Sequence, residues 1–155
     1  MAVEVGTKAP DFTLPNQDRE AVTLSDQIKS GPVVLAFMPA AFSGTCTKEM
    51  CTFRDSVGEL KKVSANVIGI TVDTFFALKA WADAEKLGFT LLSDFNKDVI
   101  RQYGVFNEDM IGLKGIAKRA VFVIDKTGTV RHREVIEDAR NEPDYAKVHQ
   151  ALASL

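Results

Sequence analysis

The sequence is poor in the residues that crosslink small proteins or bind metal ions. Its 155 residues include two cysteines, two histidines and one tryptophan. Two cysteines cannot form the disulfide framework of a small secreted domain. The histidines, His132 and His149, lie far from both cysteines in the chain and lack the spacing of a zinc site. The cysteines are therefore of more interest as candidates for chemistry than as structural crosslinks.

Strong charge and long apolar runs are also absent. The formal net charge is -2 at pH 7 with both signs interspersed, so the sequence shows no basic patch of the kind that binds nucleic acid or a membrane surface. Glu4 and Lys8 stand where a signal peptide would need apolar residues, and no apolar run is long enough to span a bilayer. We therefore expect a cytoplasmic protein that binds neither nucleic acid nor a membrane. A chain of this length is expected to form one domain, residues 1–155, with a substantial core.

Apolar runs rich in β-branched residues alternate with helical patterns along the chain. The predicted strands are 33–38, 66–72, 90–92, 120–124 and 129–136, and the predicted helices are 46–63, 74–87, 96–103 and 144–155. Two short strands within 9–14 and 21–24 precede them as an added hairpin, and a turn at 125–128 joins the last two strands. This order predicts an α/β fold in which helices flank a central mixed sheet.

The first long helix carries the clearest amphipathic pattern. Met50, Phe53, Val57 and Leu60 recur at spacings of three and four residues within the predicted helix 46–63. Such spacing places all four side chains on one face. We therefore expect this face to pack on the core along the full length of the helix.

Cys46 follows an apolar strand and begins this helix. A thiol in the first turn of a helix faces free backbone N–H groups and the positive end of the helix dipole, which favour the thiolate. Ionisation alone accelerates the reaction of a thiol by at most about thirtyfold, so a fast reaction needs further groups that align the substrate and stabilise the departing charge. The Ser43 hydroxyl, nearby N–H groups and an arginine are candidates. A buried structural cysteine is the plainer alternative.

Cys51, five residues after Cys46, can capture an oxidised Cys46 only if the helix changes. On a regular helix, residues five apart have Cα atoms roughly 8–9 Å apart. A disulfide tolerates no more than about 7 Å. We therefore expect that, if Cys51 is a resolving cysteine, each cycle includes local unwinding between the two cysteines. The alternative is that Cys51 is a passive helix residue.

Other uses of the cysteine pair fit the sequence less well. Dithiol exchange proteins of the thioredoxin type use C-x2-C, whereas four residues separate Cys46 from Cys51. A structural zinc site needs four ligands, and the paired partners are missing. We therefore expect no metal ion at this pair, and we expect no organic cofactor either.

Pro39, Ser43 and Cys46 fit the pattern P-x3-[ST]-x2-C. In this pattern the residues around Cys46 resemble the active site of the peroxiredoxins, and among them the AhpE and bacterioferritin-comigratory (PrxQ) groups. Further similar segments, which together span nearly the whole chain, are 9–12, 91–94, 103–105 and 119–125. Cys51 matches the resolving position of one set of the PrxQ group.

The resemblance implies a thioredoxin-like fold with an N-terminal β-hairpin, and it implies roles for five residues. Cys46 would be the peroxidatic cysteine, shielded by Pro39. Ser43 would hydrogen-bond both the thiolate and the peroxide. Arg119 would stabilise the thiolate and the transition state, and Glu49 would orient an arginine. The plainer interpretations are a basic residue beside a strand for Arg119 and an ordinary first-turn acid for Glu49.

The sequence thus predicts a thiol-dependent peroxidase that reduces hydrogen peroxide and organic hydroperoxides. Cys46 would become a sulfenic acid, Cys51 would convert it to an intrasubunit disulfide, and thioredoxin or a glutaredoxin-like protein would reduce that disulfide. A homodimer is an expectation from the resemblance alone. Two alternatives stay open: a one-cysteine peroxidase in which Cys51 is incidental, and a non-catalytic thioredoxin-fold binder that senses oxidant through Cys46.

Overall fold

Nine strands and six α-helices make up the fold, which the computed structural model describes over residues 3–155. The strands are β1 (Thr13–Pro15), β2 (Ala21–Thr23), β3 (Val33–Phe37), β4 (Asn66–Thr71), β5 (Thr90–Ser93), β6 (Phe106–Asn107), β7 (Ile116–Ala117), β8 (Arg119–Ile124) and β9 (Val130–Ile136). The helices are α1 (Leu24–Gln27), α2 (Gly44–Asp55), α3 (Val57–Lys62), α4 (Phe75–Glu85), α5 (Asp98–Gln102) and α6 (Tyr145–Ala153).

A five-stranded mixed sheet in the order β5-β4-β3-β8-β9 forms the centre of the molecule. Strands β3, β4 and β5 are parallel, whereas β8 runs antiparallel to β3 and β9 antiparallel to β8. The parallel strands point their carboxyl ends to one edge, where the loops leading into α2 and α4 begin. This arrangement confirms the mixed sheet flanked by helices that the element order predicts.

The central strand β3 is buried along its whole length because both faces of the sheet are covered. Alternate residues of this region point to opposite faces, so Leu35 and Phe37 belong to one apolar cluster and Ala36 and Met38 to the other. Cys46 lies in the second cluster, among residues of α2, α4 and α6. The candidate nucleophile is thus built into the core and does not stand on an exposed loop.

The predicted helix 46–63 is wrong in one respect, because the chain forms two helices that meet at Ser56. Ser56 lies between α2 and α3, and its hydroxyl donates to the Thr52 carbonyl at 2.9 Å. Such a bond back to the helix competes with the regular ladder, and Gly58 just beyond has a low helix propensity. Val57, predicted to face the core, is 50% exposed.

The remaining elements are close to those predicted from the sequence. The N-terminal hairpin is present as β1 and β2, and the 125–128 turn is closed by a 2.9 Å hydrogen bond from Gly128 N–H to the Asp125 carbonyl. The short pair β6 and β7 has too few residues to show a period and was not predicted. Within residues 3–155, the structure contains no helix with the length and apolar character needed to cross a membrane.

Candidate active site

Cys46 lies in the first turn of α2, near the carboxyl end of β3. Ser43 is the N-cap residue and has the extended backbone usual for that position, so the helix begins at Gly44. The Cys46 side chain is fully buried. Arg119 donates to Cys46 Sγ from Nη2 at 3.3 Å. The thiol that the sequence singles out therefore faces a cation as well as the positive end of a helix.

Arg119 begins β8, and all three nitrogens of its guanidinium donate hydrogen bonds. Nη1 donates to Glu49 Oε2 at 2.6 Å, while Nε and Nη2 donate to the Ala139 carbonyl at 3.3 and 2.9 Å. The residue is only 1% exposed. Burial lowers the pKa of Arg119, but the adjacent Cys46 and Glu49 side chains more than offset this and raise it, so the cation is retained. Two acceptors, which take three hydrogen bonds between them, thus hold one charged group against the sulfur.

Glu49 lies one turn after Cys46 on α2 and is fully buried. Burial raises the pKa of Glu49 to about 7, against the lowering influence of Arg119. Its Oε1 atom is buried and has no hydrogen-bond partner among the described residues. One carboxylate oxygen therefore accepts a hydrogen bond from Arg119. The other is buried without a partner, which raises the free-energy cost of keeping this carboxylate charged.

The loop from Pro39 to Ser43 carries backbone strain close to Cys46. Phe42 has a φ of 66°, a conformation that bulky residues rarely adopt. The loop is pinned by Asp73, whose Oδ2 accepts a 2.7 Å hydrogen bond from the Ala41 N–H. Strain of this kind persists where the surroundings fix the chain, as they do at many functional sites.

A pocket of ≈ 550 Å³ opens over this site. Its lining includes Pro39, Ser43, Arg119, Met110 and Ile111. The volume is ample for a hydroperoxide. The structure therefore brings together the predicted residues Pro39, Ser43 and Arg119 at the mouth of the Cys46 site.

Cys51 lies on the same unbroken helix as Cys46, and the two cysteines do not form a disulfide. Both thiols are free, and α2 is continuous from Gly44 to Asp55. Cys51 Sγ donates to Glu85 Oε2 on α4 at 3.6 Å. Burial raises the pKa of the Cys51 thiol, and Glu85 raises it further against the opposing Arg54. In this conformation Cys51 is held away from the site.

Two parts of the site escape sequence reasoning. The Ala139 carbonyl that fixes Arg119 is a backbone group, so no side-chain signal identifies it. Asp73 lies two residues after the end of β4, and its position in the sequence suits a helix cap equally well, although Thr74 is the residue that caps α4 through its side chain. Within residues 3–155, no group of acidic, histidine and cysteine residues is arranged to hold a metal ion.

Comparison with known proteins accounts for this arrangement. The model of the AhpC/TSA family matches residues 5–133. The chain is 35% identical over 164 residues to a 2-cysteine peroxiredoxin, chloroplastic, from Chattonella marina var. antiqua, covering 98% of this chain and 82% of that protein. It is 43% identical over 130 residues to peroxiredoxin Q, chloroplastic, from Triticum aestivum, covering 84% of this chain and 58% of that protein.

A solved structure shares the fold over almost the whole chain. The crystal structure of peroxidoxin BcpB from Mycobacterium tuberculosis superposes with a TM-score of 0.89 at 33% identity, covering 99% of this chain and 98% of that one. The thioredoxin-like peroxiredoxin fold expected from the resemblance is thereby confirmed. Family match, relatives and buried thiol–guanidinium pair agree, and the chain belongs to the AhpC/TSA family of peroxiredoxins, which are thiol-dependent peroxidases.

Proposed function

We propose that Cys46 is the peroxidatic cysteine of this peroxidase and that Arg119 is the cation that assists it. The observation that carries the proposal is the 3.3 Å contact between Arg119 Nη2 and Cys46 Sγ at the first turn of α2. A fixed guanidinium stabilises a thiolate without reorganising during the reaction. Glu49 and the Ala139 carbonyl keep it in place, which makes Glu49 a positioning residue.

In the first step, the Cys46 thiolate attacks the terminal oxygen of a hydroperoxide. An S–O bond forms as the O–O bond breaks, so the thiolate is oxidised by two electrons to the sulfenic acid. The departing oxygen takes up a proton, equivalent to the one that the thiol released on ionisation, and leaves as water or an alcohol. Negative charge moves onto the departing oxygen, where Arg119 and the Ser43 hydroxyl would stabilise it. Pro39, buried at the mouth of the pocket, would restrict the access of water.

In the second step, the Cys51 thiol condenses with the sulfenic acid of Cys46. The S–S bond forms, the S–O bond breaks, and the hydroxyl leaves with the thiol proton as water. Because both cysteines lie on the continuous helix α2, the turns between them would unwind before the sulfurs meet. An external dithiol, thioredoxin or a glutaredoxin-like protein, would then reduce the disulfide to two thiols. A homodimer and a cytoplasmic location belong to the same proposal, and light scattering tests the first.

A one-cysteine cycle is the second candidate, and a specific observation favours it. Cys51 is held by Glu85 within an intact helix, away from Cys46. In that cycle an outside thiol would reduce the sulfenic acid directly.

An intact-mass measurement distinguishes the two cycles. The reduced protein is mixed with one equivalent of hydrogen peroxide, quenched with acid within seconds and weighed, with no reductant present. Loss of about 2 Da identifies the Cys46–Cys51 disulfide, whereas a gain of about 16 Da that persists identifies the one-cysteine cycle. A mass that does not change would overturn the assignment of Cys46.

A further inference from the structure

Two side-chain hydrogen bonds join α2 to α4 with matching spacing. Trp81 Nε1 donates to Thr47 Oγ1 at 3.1 Å, and Cys51 Sγ donates to Glu85 Oε2 at 3.6 Å. Thr47 and Cys51 lie four residues apart on α2, as Trp81 and Glu85 do on α4, so each pair lies on one face of its helix. These two contacts are called the α2–α4 seam below.

The other residues between the cysteines are held from outside the helix as well. Glu49 is paired with Arg119, Met50 is fully buried, and Lys48 Nζ lies 3.1 Å from Glu142 Oε2. The Lys48 side chain of this ion pair is largely exposed to solvent, so the pair adds little to stability. The Glu49 and Met50 contacts form part of the peroxide site and the core. The seam is different, because neither of its hydrogen bonds reaches Cys46.

Formation of a Cys46–Cys51 disulfide would break the seam. Five residues on a helix keep the two Cα atoms roughly 8–9 Å apart, beyond the limit for a disulfide of about 7 Å, so the turns between them must open. Opening these turns takes Thr47 away from Trp81 and Cys51 away from Glu85. The free energy of both contacts therefore adds to the barrier between sulfenic acid and disulfide.

Glu85 also affects the reactivity of Cys51. Burial and the Glu85 carboxylate both raise the pKa of this thiol, and Arg54 opposes them. A protonated thiol is a hydrogen-bond donor to the carboxylate and a poor nucleophile. The same contact thus holds the Cys51 side chain against α4 and keeps the thiol unreactive until helix α2 opens. Arg54 adds to the junction by donating from Nη1 to the Glu85 carbonyl at 2.6 Å.

We propose that the α2–α4 seam sets the rate at which the Cys46 sulfenic acid becomes a disulfide, with Thr47, Trp81 and Glu85 as positioning residues. The inference rests on the proposed role of Cys51 as the resolving cysteine. Strong hydrogen bonds in the seam lengthen the lifetime of the sulfenic acid, so a second peroxide molecule has time to oxidise it to the sulfinic acid. Weak hydrogen bonds in the seam shorten that lifetime.

The test follows the two chemical steps separately in the full-length chain. Reduced protein is mixed with hydrogen peroxide, quenched with acid at successive times, and weighed. The species about 16 Da heavier reports the first step, and its conversion to the species about 2 Da lighter than the reduced protein reports the second. We expect Glu85→Ala and Thr47→Val each to accelerate the second step by roughly three- to tenfold, the range given by the loss of one hydrogen bond.

Matched variants separate the seam from a general loss of stability. Thr47→Ser keeps the hydroxyl and should restore the native rate, and Glu85→Gln keeps an acceptor and should give an intermediate rate. Thr13→Val removes a threonine contact of 2.7 Å to Thr23 in the N-terminal hairpin and should leave the second step unchanged. In Glu85→Ala the first step should keep its second-order rate, whereas a merely structural role would change both steps.

The outcomes distinguish this inference from the function on which it rests. If the native protein stays 16 Da heavier, Cys51 does not resolve, and both the two-cysteine cycle and the seam are overturned. If the native protein forms the disulfide but Glu85→Ala and Thr47→Val form it at the native rate or more slowly, the seam alone is overturned. Acceleration in both, with rescue by Thr47→Ser, supports it.

Discussion

Arg119 concentrates the electrostatics of the site in one buried group. It donates to the sulfur of Cys46, to a carboxylate oxygen of Glu49 and to the Ala139 carbonyl. Removing one partner of a buried ion pair leaves the other uncompensated, so this residue affects stability as well as rate. Variants at this position should be tested for both.

We expect Arg119→Met to slow peroxide reduction by about a hundredfold or more, because it removes a fixed cation from the transition state. The second-order rate with hydrogen peroxide, measured on protein shown by circular dichroism to be folded, checks this. Lys118→Met is the matched control, since Lys118 forms an ion pair with exposed Glu137 at 3.2 Å. Its rate should stay within about twofold of native. A native rate in Arg119→Met would refute the role of the guanidinium.

Glu49 makes stability depend on pH in a direction opposite to that of most carboxyl groups. Its folded-state pKa is raised to about 7 from 4.5, so the folded state binds its proton more tightly than the unfolded state. The stabilising effect of that proton is fully present below pH 4.5 and is lost as the pH rises towards 7. Replacing the carboxyl group should abolish this dependence.

We therefore expect the free energy of unfolding of the native protein to fall relative to that of Glu49→Gln between pH 4.5 and pH 7. The relative change should be on the order of 1–3 kcal/mol, given about 1.4 kcal/mol per pKa unit. Urea unfolding of both proteins at the two pH values measures it. A difference between them that is the same at both pH values would show that Glu49 does not titrate in this range.

At the scale of elements, helix α4 is important because it provides one partner, Trp81 or Glu85, to each contact of the α2–α4 seam. Its N-cap is Thr74, whose side chain accepts a 3.3 Å hydrogen bond from the Ala77 N–H. Its C-cap residue Lys86, which follows Glu85, has a left-handed backbone with φ of 53°, and this ends the helix. The position of Trp81 and Glu85 therefore depends on a helix with well-defined ends.

We expect Thr74→Ala to lower the free energy of unfolding by about 1 kcal/mol, because the cap hydrogen bond is lost. Thr74→Ser retains the hydroxyl and should cost far less. Urea denaturation of the two variants beside the native protein gives the comparison. Equal losses in both would mean that the methyl group of threonine, and not the cap, is responsible.

The regular elements could be predicted because their signals are local. The apolar run before Pro39 and the spacing of Met50 and Phe53 identify β3 and α2 from the sequence alone. The break at Ser56 could not be predicted from the same pattern, since Val57 continues the apolar period while its side chain is exposed. Periodicity records which residues suit a core face, but it does not record where a helix ends against its neighbours.

The candidate site likewise has a part that the local sequence predicts and a part that it does not. Cys46, Ser43 and Pro39 are close in sequence and form a recognisable pattern, whereas Arg119 joins them from more than seventy residues away. The resemblance to peroxiredoxins supplies that long-range partner, and the pocket and contacts place it beside the thiol. The Ala139 carbonyl carries no sequence signal, because every residue has the same group.

At the scale of the whole molecule, the two cysteines should have separable roles. We expect Cys46→Ser to abolish peroxide turnover. Cys51→Ser should leave the first oxidation at its native rate and eliminate recycling by thioredoxin. Single-turnover oxidation and a coupled thioredoxin assay, run on both variants, check this. An equal loss of the peroxide step in both variants would contradict the separation.

Trp81 has a consequence for how the molecule can be observed. It is the only tryptophan in the sequence, it is fully buried, and its indole N–H is bonded to the first helical turn of the segment between the cysteines. Indole emission depends on hydration and on hydrogen bonding at that nitrogen. Fluorescence from the unlabelled protein should therefore follow the conformation of one site, and so follow each catalytic cycle in real time.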